Sequence, residues 1–123
     1  MLKEQKNVRQ IKNENHRRLF QDENFDLFVW TNSKNEFSGF QLCYQKSHLE
    51  KALSWFQDTG FSHTNVDQGE DSSNINRSPL LTADGTFPFS IIFTLFVKNS
   101  RSIDQDVAIF VKQKMEEYVH VSH

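Results

Sequence analysis

Between Phe25 and Asp67 apolar and polar residues alternate with a period near two, in short runs separated by polar connections, which is the pattern of β-strands. Phe25 to Asn32 sets Leu27, Val29 and Thr31 on one face and Phe28 and Trp30 on the other. Both faces are largely apolar, predicting a central strand covered on both sides. Ser33 to Glu36 reads as a hairpin loop. Gly39 to Lys46 turns Phe40, Leu42 and Tyr44 toward a core and Gln41, Cys43 and Gln45 away from it. After a second connection, Leu53 and Trp55 alternate with Ala52, Ser54 and Phe56. Asp58-Thr59-Gly60 predicts a tight turn closed by a left-handed glycine, and Phe61 to Asp67 a return strand. Ahead of this stretch, Arg17 to Asp22 (RRLFQD) suits a short edge strand whose two arginines discourage pairing with another sheet. Leu80 to Ala83 suits a short buried strand before an Asp84-Gly85 turn.

Toward the C-terminus the period lengthens. Over 87–98 a strand reading lines up Phe89, Ile91, Phe93, Leu95 and Val97, whereas a helix reading leaves Ser90, Thr94 and Lys98 as one polar stripe. Pro88 at a first helical position, with Thr86 as its cap, favours the helix. Ile103, Val107, Phe110, Val111, Met115 and Tyr118 follow helical spacing, and Ser102 with Gln105 reads as a capping box. The fold class expected is α+β: a single antiparallel β-meander of four or five strands, with two C-terminal helices packed on one face.

Composition adds two things to this picture. The apolar fraction is only 37%, but twelve Phe and two Trp concentrate burial in a few large side chains. At 123 residues the chain has the length of one domain, with enough bulk for a core without cross-links. Residues 1–15 carry Leu2, Val8 and Ile11 as their large aliphatics, too little to offset ordering, and predict a flexible basic arm ahead of a single domain over 16–123. Charge is unevenly divided: residues 1–18 hold six Lys/Arg against two Glu, and residues 19–71 hold three Lys against nine Asp/Glu. An acidic sheet region makes nucleic acid an unfavoured partner, since phosphate needs positive charge along its path. The same asymmetry offers a route to a homo-oligomer, the arm of one copy meeting the sheet of another. Mean hydropathy of −0.64, an apolar run over 87–97 too short for a bilayer and no apolar stretch behind the basic N-terminus predict a soluble cytoplasmic chain.

Candidate chemistry is sparse. His63 and Asp67 lie four apart on one strand face, with Glu70 just beyond, and an imidazole beside carboxylates can act as a base, a metal ligand or an ion pair. Their spacing matches no zinc pattern, so no metal site and no cofactor is expected. A polar strand face carries the same residues for solubility alone. Trp30, Trp55 and Tyr44, with Phe40, are candidates to line a pocket between sheet and helices, although aromatics at period two are ordinary core. Cys43, the single cysteine, suits inert packing better than nucleophilic work. Asp22, Glu23 and Asp26 suit a turn. The four glycines are scattered, and no phosphate loop, nucleophile elbow or His-Glu-x-x-His helix is present.

The residues therefore favour a small non-catalytic module binding a protein or a small molecule, with the loop 68–79 and the arm as contact surfaces. A small acid–base or metal-assisted enzyme centred on His63 and Asp67 is the alternative. Single-stranded nucleic-acid binding on an aromatic sheet face is a further one.

Overall fold

The computed structural model describes residues 1–46, 49–66 and 87–121. Among them are six strands, β1 (Lys3–Glu4), β2 (His16–Gln21), β3 (Asp26–Thr31), β4 (Phe37–Tyr44), β5 (Lys51–Phe56) and β6 (Gly60–Asn65). Two helices follow, α1 (Phe89–Asn99) and α2 (Gln105–Val121). The strands form one antiparallel sheet in chain order, a meander. The α+β class and the helical reading of the 87–98 stretch hold. The strand count is six rather than four or five. The expected strand at Leu80–Ala83, the expected helix cap Thr86 and the loop 68–79 lie outside the described residues.

The additional strand is β1, inside the segment expected to be a flexible arm. One aliphatic side chain anchors it. Leu2 is 1% exposed, its N–H donates to the Asn99 carbonyl at 2.8 Å, and Ser102 donates its hydroxyl to the Leu2 carbonyl at 3.3 Å. Further along, the Gln10 side-chain amide does what a strand backbone would do. Its Oε1 accepts the Arg17 N–H at 2.9 Å and its Nε2 donates to the Arg17 carbonyl at 2.8 Å. Arg18 adds a bidentate pair to Glu4 and a contact to Asp104, and its guanidinium holds the Glu4 carboxyl below the usual carboxylate range. Specific polar bonds thus supply what the sparse apolar content of 1–15 does not.

Alternation in the strands sorts the sheet into two faces. Phe20, Leu27, Val29, Phe40, Leu42, Tyr44 and Leu53 lie on the inner face and are buried. Against it the helices place Phe96 at 5.9 Å from Phe25, Phe110 at 4.6 Å from Phe37, and Tyr118 at 5.4 Å from Phe61 (ring centroids). Phe28 and Trp30 point to the opposite face and stay half-buried, so the expectation that β3 is covered on both sides is corrected. Both described helices pack on the Leu27/Val29 side.

Turn chemistry fixes the register. Asn32 Oδ1 accepts the N–H groups of Lys34 and Glu36, closing the β3–β4 hairpin through Asn35 at φ 64°. Gly60 sits at φ 82° where Phe56 pairs with it, as the Asp58-Thr59-Gly60 pattern predicts. The second helix begins later than the capping-box reading implies. Asp104 Oδ1 accepts the Asp106 N–H at 3.0 Å, while Ser102 is bonded to Leu2 and Gln105 Nε2 reaches the carbonyls of Ser100, Arg101 and Ile103.

Candidate functional site

His63 does not lie on a solvated strand face. Its ring points inward from β6 at 7% exposure and shares a 2.5 Å hydrogen bond, Nε2 to Oη, with Tyr44 two strands away. Phe87 stands edge-on to it at 5.6 Å and Tyr118 closes the other side at 6.3 Å. Desolvation raises the Tyr44 phenol well above its ordinary range, with Tyr118 adding to the effect. The pair is a buried polar link among aromatic rings. Asp67 and Glu70, the partners proposed for His63, lie outside the described residues.

The four aromatics proposed for one pocket are divided between the two faces. Trp55 is on the inner face with Tyr44 and Phe40, where the Lys114 ammonium sits 3.8 Å from its ring centroid. Trp30 is on the outer face. Cys43 also faces outward, on the other side of the sheet from His63, and burial pushes its thiol up. The Asp22 carboxylate is structural: Oδ1 accepts the N–H groups of Asn24 and Phe25 at 2.8 Å each, and Oδ2 accepts the Asn99 side-chain amide at 2.9 Å. Among the described residues no three His, Cys, Asp or Glu side chains gather as metal ligands. No described helix is long and apolar enough to cross a membrane.

The outer face does carry a cleft, of about 550 Å³, at the end of the sheet where the β3–β4 and β5–β6 hairpins lie beside the turn at 12–15. Three local features build it. The first is a β-bulge in β4: Thr31 pairs with Phe37 and Trp30 with Gly39, leaving Ser38 as the extra residue. Bulges re-aim side chains, and here the Ser38 hydroxyl lines the cleft although the residue is only 6% exposed. The second is Gly39, opposite Phe56. A Cβ there would stand 2.3 Å from Phe56 Cδ1, so the missing side chain lets the phenyl ring lie across the sheet. That ring tilts against Trp30 at 5.0 Å, and Trp30 stacks on Phe28 at 5.9 Å. The third is Asn15, delivered by the Gln10-pinned segment, which donates Nδ2–H to Ser38 Oγ at 2.8 Å.

The walls are therefore two half-buried rings, Trp30 and Phe56, and the rim carries Glu14 and Asp58. Neither carboxylate has an ion-pair partner among the described residues. Ser38 Oγ accepts from Asn15, and its own proton has no acceptor among the described residues. A larger depression of about 760 Å³ lies between the start of α1 and the end of α2, but its lining is mostly the exposed polar side of α2: Gln113, Glu116, Glu117 and His120. Of the residues singled out in the sequence, Trp30 alone belongs to the outer-face cleft. Ser38, Phe56 and Asn15 were missed, and the available signal was a glycine inside a strand pattern, which marks a bulge or a close approach. The chain matches no protein-family model, and neither curated protein sequences nor solved structures give a match.

Proposed function

We propose that the chain is a non-catalytic binding module whose ligand seats in the outer-face cleft between Trp30, Phe56 and Ser38. One observation carries this reading: a buried hydroxyl whose proton has no acceptor among the described residues opens beside an aromatic pair in a concavity of small-molecule size. Apolar walls with a few placed polar groups are the usual make-up of ligand sites. The carboxylates at the rim disfavour phosphate, which counts against the nucleic-acid reading. The acid–base reading draws on the Tyr44–His63 bond, but both groups are enclosed by Phe87 and Tyr118.

The test is an amide and indole NMR screen of the whole chain against mixed small-molecule fragments. Binding shifts should map to Trp30, Ser38, Phe56 and Asp58, and should vanish in a folded Trp30→Ala variant. Shifts that instead centre on Tyr44 and His63 would move the acid–base reading ahead.

A further inference from the structure

We infer that the cleft's ligand is a small alkylammonium ion bearing an oxygen acceptor. The inference rests on the binding-module reading and adds the ligand's charge and functional group. Three independent features select it. Trp30 and Phe56 present ring surface within one concavity, and the negative faces of such rings attract weakly hydrated cations. Glu14 and Asp58 supply negative charge that no described cation neutralises. Ser38, 6% exposed on the bulge, holds a hydroxyl proton that no described residue accepts and that faces the cleft where an acceptor on the ligand can take it.

The nearby cations do not fill this role. Arg17, which pairs with Trp30 in register, is engaged elsewhere: its guanidinium lies over Phe28 at 5.5 Å, and Nε donates to the Arg9 carbonyl at 2.8 Å. Lys12, two residues before Glu14, is exposed and forms no ion pair among the described residues. N-alkylation matters because it lowers the hydration that a primary ammonium would have to give up at the rings. A cleft of about 550 Å³ holds a small molecule rather than an extended chain.

Choline has both required groups and is the probe. Its neutral isostere, 3,3-dimethylbutan-1-ol, keeps the shape and the hydroxyl but lacks the charge; acetate serves as the anionic control. In ¹H–¹⁵N spectra of the full chain, choline should shift the Trp30 indole N–H and the Ser38 and Asp58 amides saturably and leave the Trp55 indole unmoved. The isostere should bind at least about tenfold more weakly, from the combined cation–ring and carboxylate attraction. The double variant Glu14→Gln/Asp58→Asn should weaken choline several-fold, as should raised salt, and Ser38→Ala should weaken it roughly two- to fivefold. Equal binding of choline and its isostere, or unchanged binding in the double variant, overturns the charge assignment. Shifts at Trp30 with the isostere or acetate alone overturn it too, while leaving the cleft as the binding site. No shift at Trp30 with any probe or fragment overturns the cleft reading as well.

Discussion

Replacement of Asp22 by alanine should be among the most damaging single changes in this protein, although composition places the residue in an ordinary acidic turn. Its side chain is 2% exposed. Oδ1 accepts the Asn24 and Phe25 N–H groups at 2.8 Å each, and Oδ2 accepts the Asn99 side-chain amide at 2.9 Å. The Met1 ammonium lies 3.6 Å from Oδ2. One carboxylate therefore joins the β2–β3 turn to the end of α1, and the Asn99 carbonyl in turn holds β1 through Leu2. Asp22→Ala strands the Asn99 amide, on a residue 5% exposed, at a cost of about 1–3 kcal/mol. Loss of the turn bonds to an ionised acceptor adds a contribution reduced by resolvation, giving a total of about 3 kcal/mol. In a domain of this size that corresponds to a fall in Tm of roughly 10 °C. Asp22→Asn keeps an acceptor for the turn, and the Asn99 amide can flip to accept from the new side chain, so about 1 kcal/mol is expected. Urea unfolding followed by circular dichroism measures both. Two variants equal to each other, or Asp22→Ala within about 0.5 kcal/mol of the parent, would refute the reasoning.

Three more outcomes are expected. Gly39→Ala should displace the Phe56 ring from Trp30, costing about 1–3 kcal/mol and altering Trp30 emission; an unchanged unfolding midpoint would show that the ring moves freely. Tyr44→Phe and His63→Ala should each destabilise, and their double-mutant cycle should give a coupling of about 1 kcal/mol, whereas strict additivity would deny that the bond contributes. Burial raises both the Cys43 thiol and the Tyr44 phenol in the folded state. The folded state therefore favours their neutral forms. Their contribution is complete below the unfolded thiol's value of about 8.5 and is lost as pH rises above it, first through Cys43 and then, beyond about 10, through Tyr44. Unfolding midpoints measured between neutral and alkaline pH should fall accordingly and fall less in Cys43→Ala; the thiol itself should react slowly with a disulfide reagent until the protein unfolds.

Much of the sheet was legible because strand alternation is a local signal. Phe40, Leu42 and Tyr44 face inward as their spacing predicts, and Gly60 closes its turn at φ 82°. The 89–99 helix was legible from one polar stripe. What escaped the sequence depends on contacts distant in the chain. β1 has two residues and no periodicity, and its place is set by Asn99, Ser102 and the Glu4–Arg18 pair. His63 shares a strand face with Asp67 by spacing, which suggested a wet face, yet the ring is taken inward by a tyrosine two strands away. Phe28 and Trp30 looked like core because an apolar pair carries no sign of whether a second layer covers it. Ser38 was invisible for another reason. Period-two counting begun at Gly39 steps over a bulge, and the bulge is what turns that hydroxyl into the cleft.

The anchoring of Leu2 also bears on the order in which a growing chain can settle. Strands β2 to β6 pair with neighbours in sequence, so each can find its partner soon after the ribosome releases it. β1 lies upstream of them all, yet the groups that hold Leu2 and Arg18 in place belong to Asn99, Ser102 and Asp104. Closing a loop of that length is entropically costly until the downstream helices exist to reward it. β1 is thus seated after the strands that follow it in the chain. Asn15, by contrast, adjoins β2 directly and is held through Gln10 and Arg17, so its contact with Ser38 depends on the neighbouring hairpins and not on the two helices.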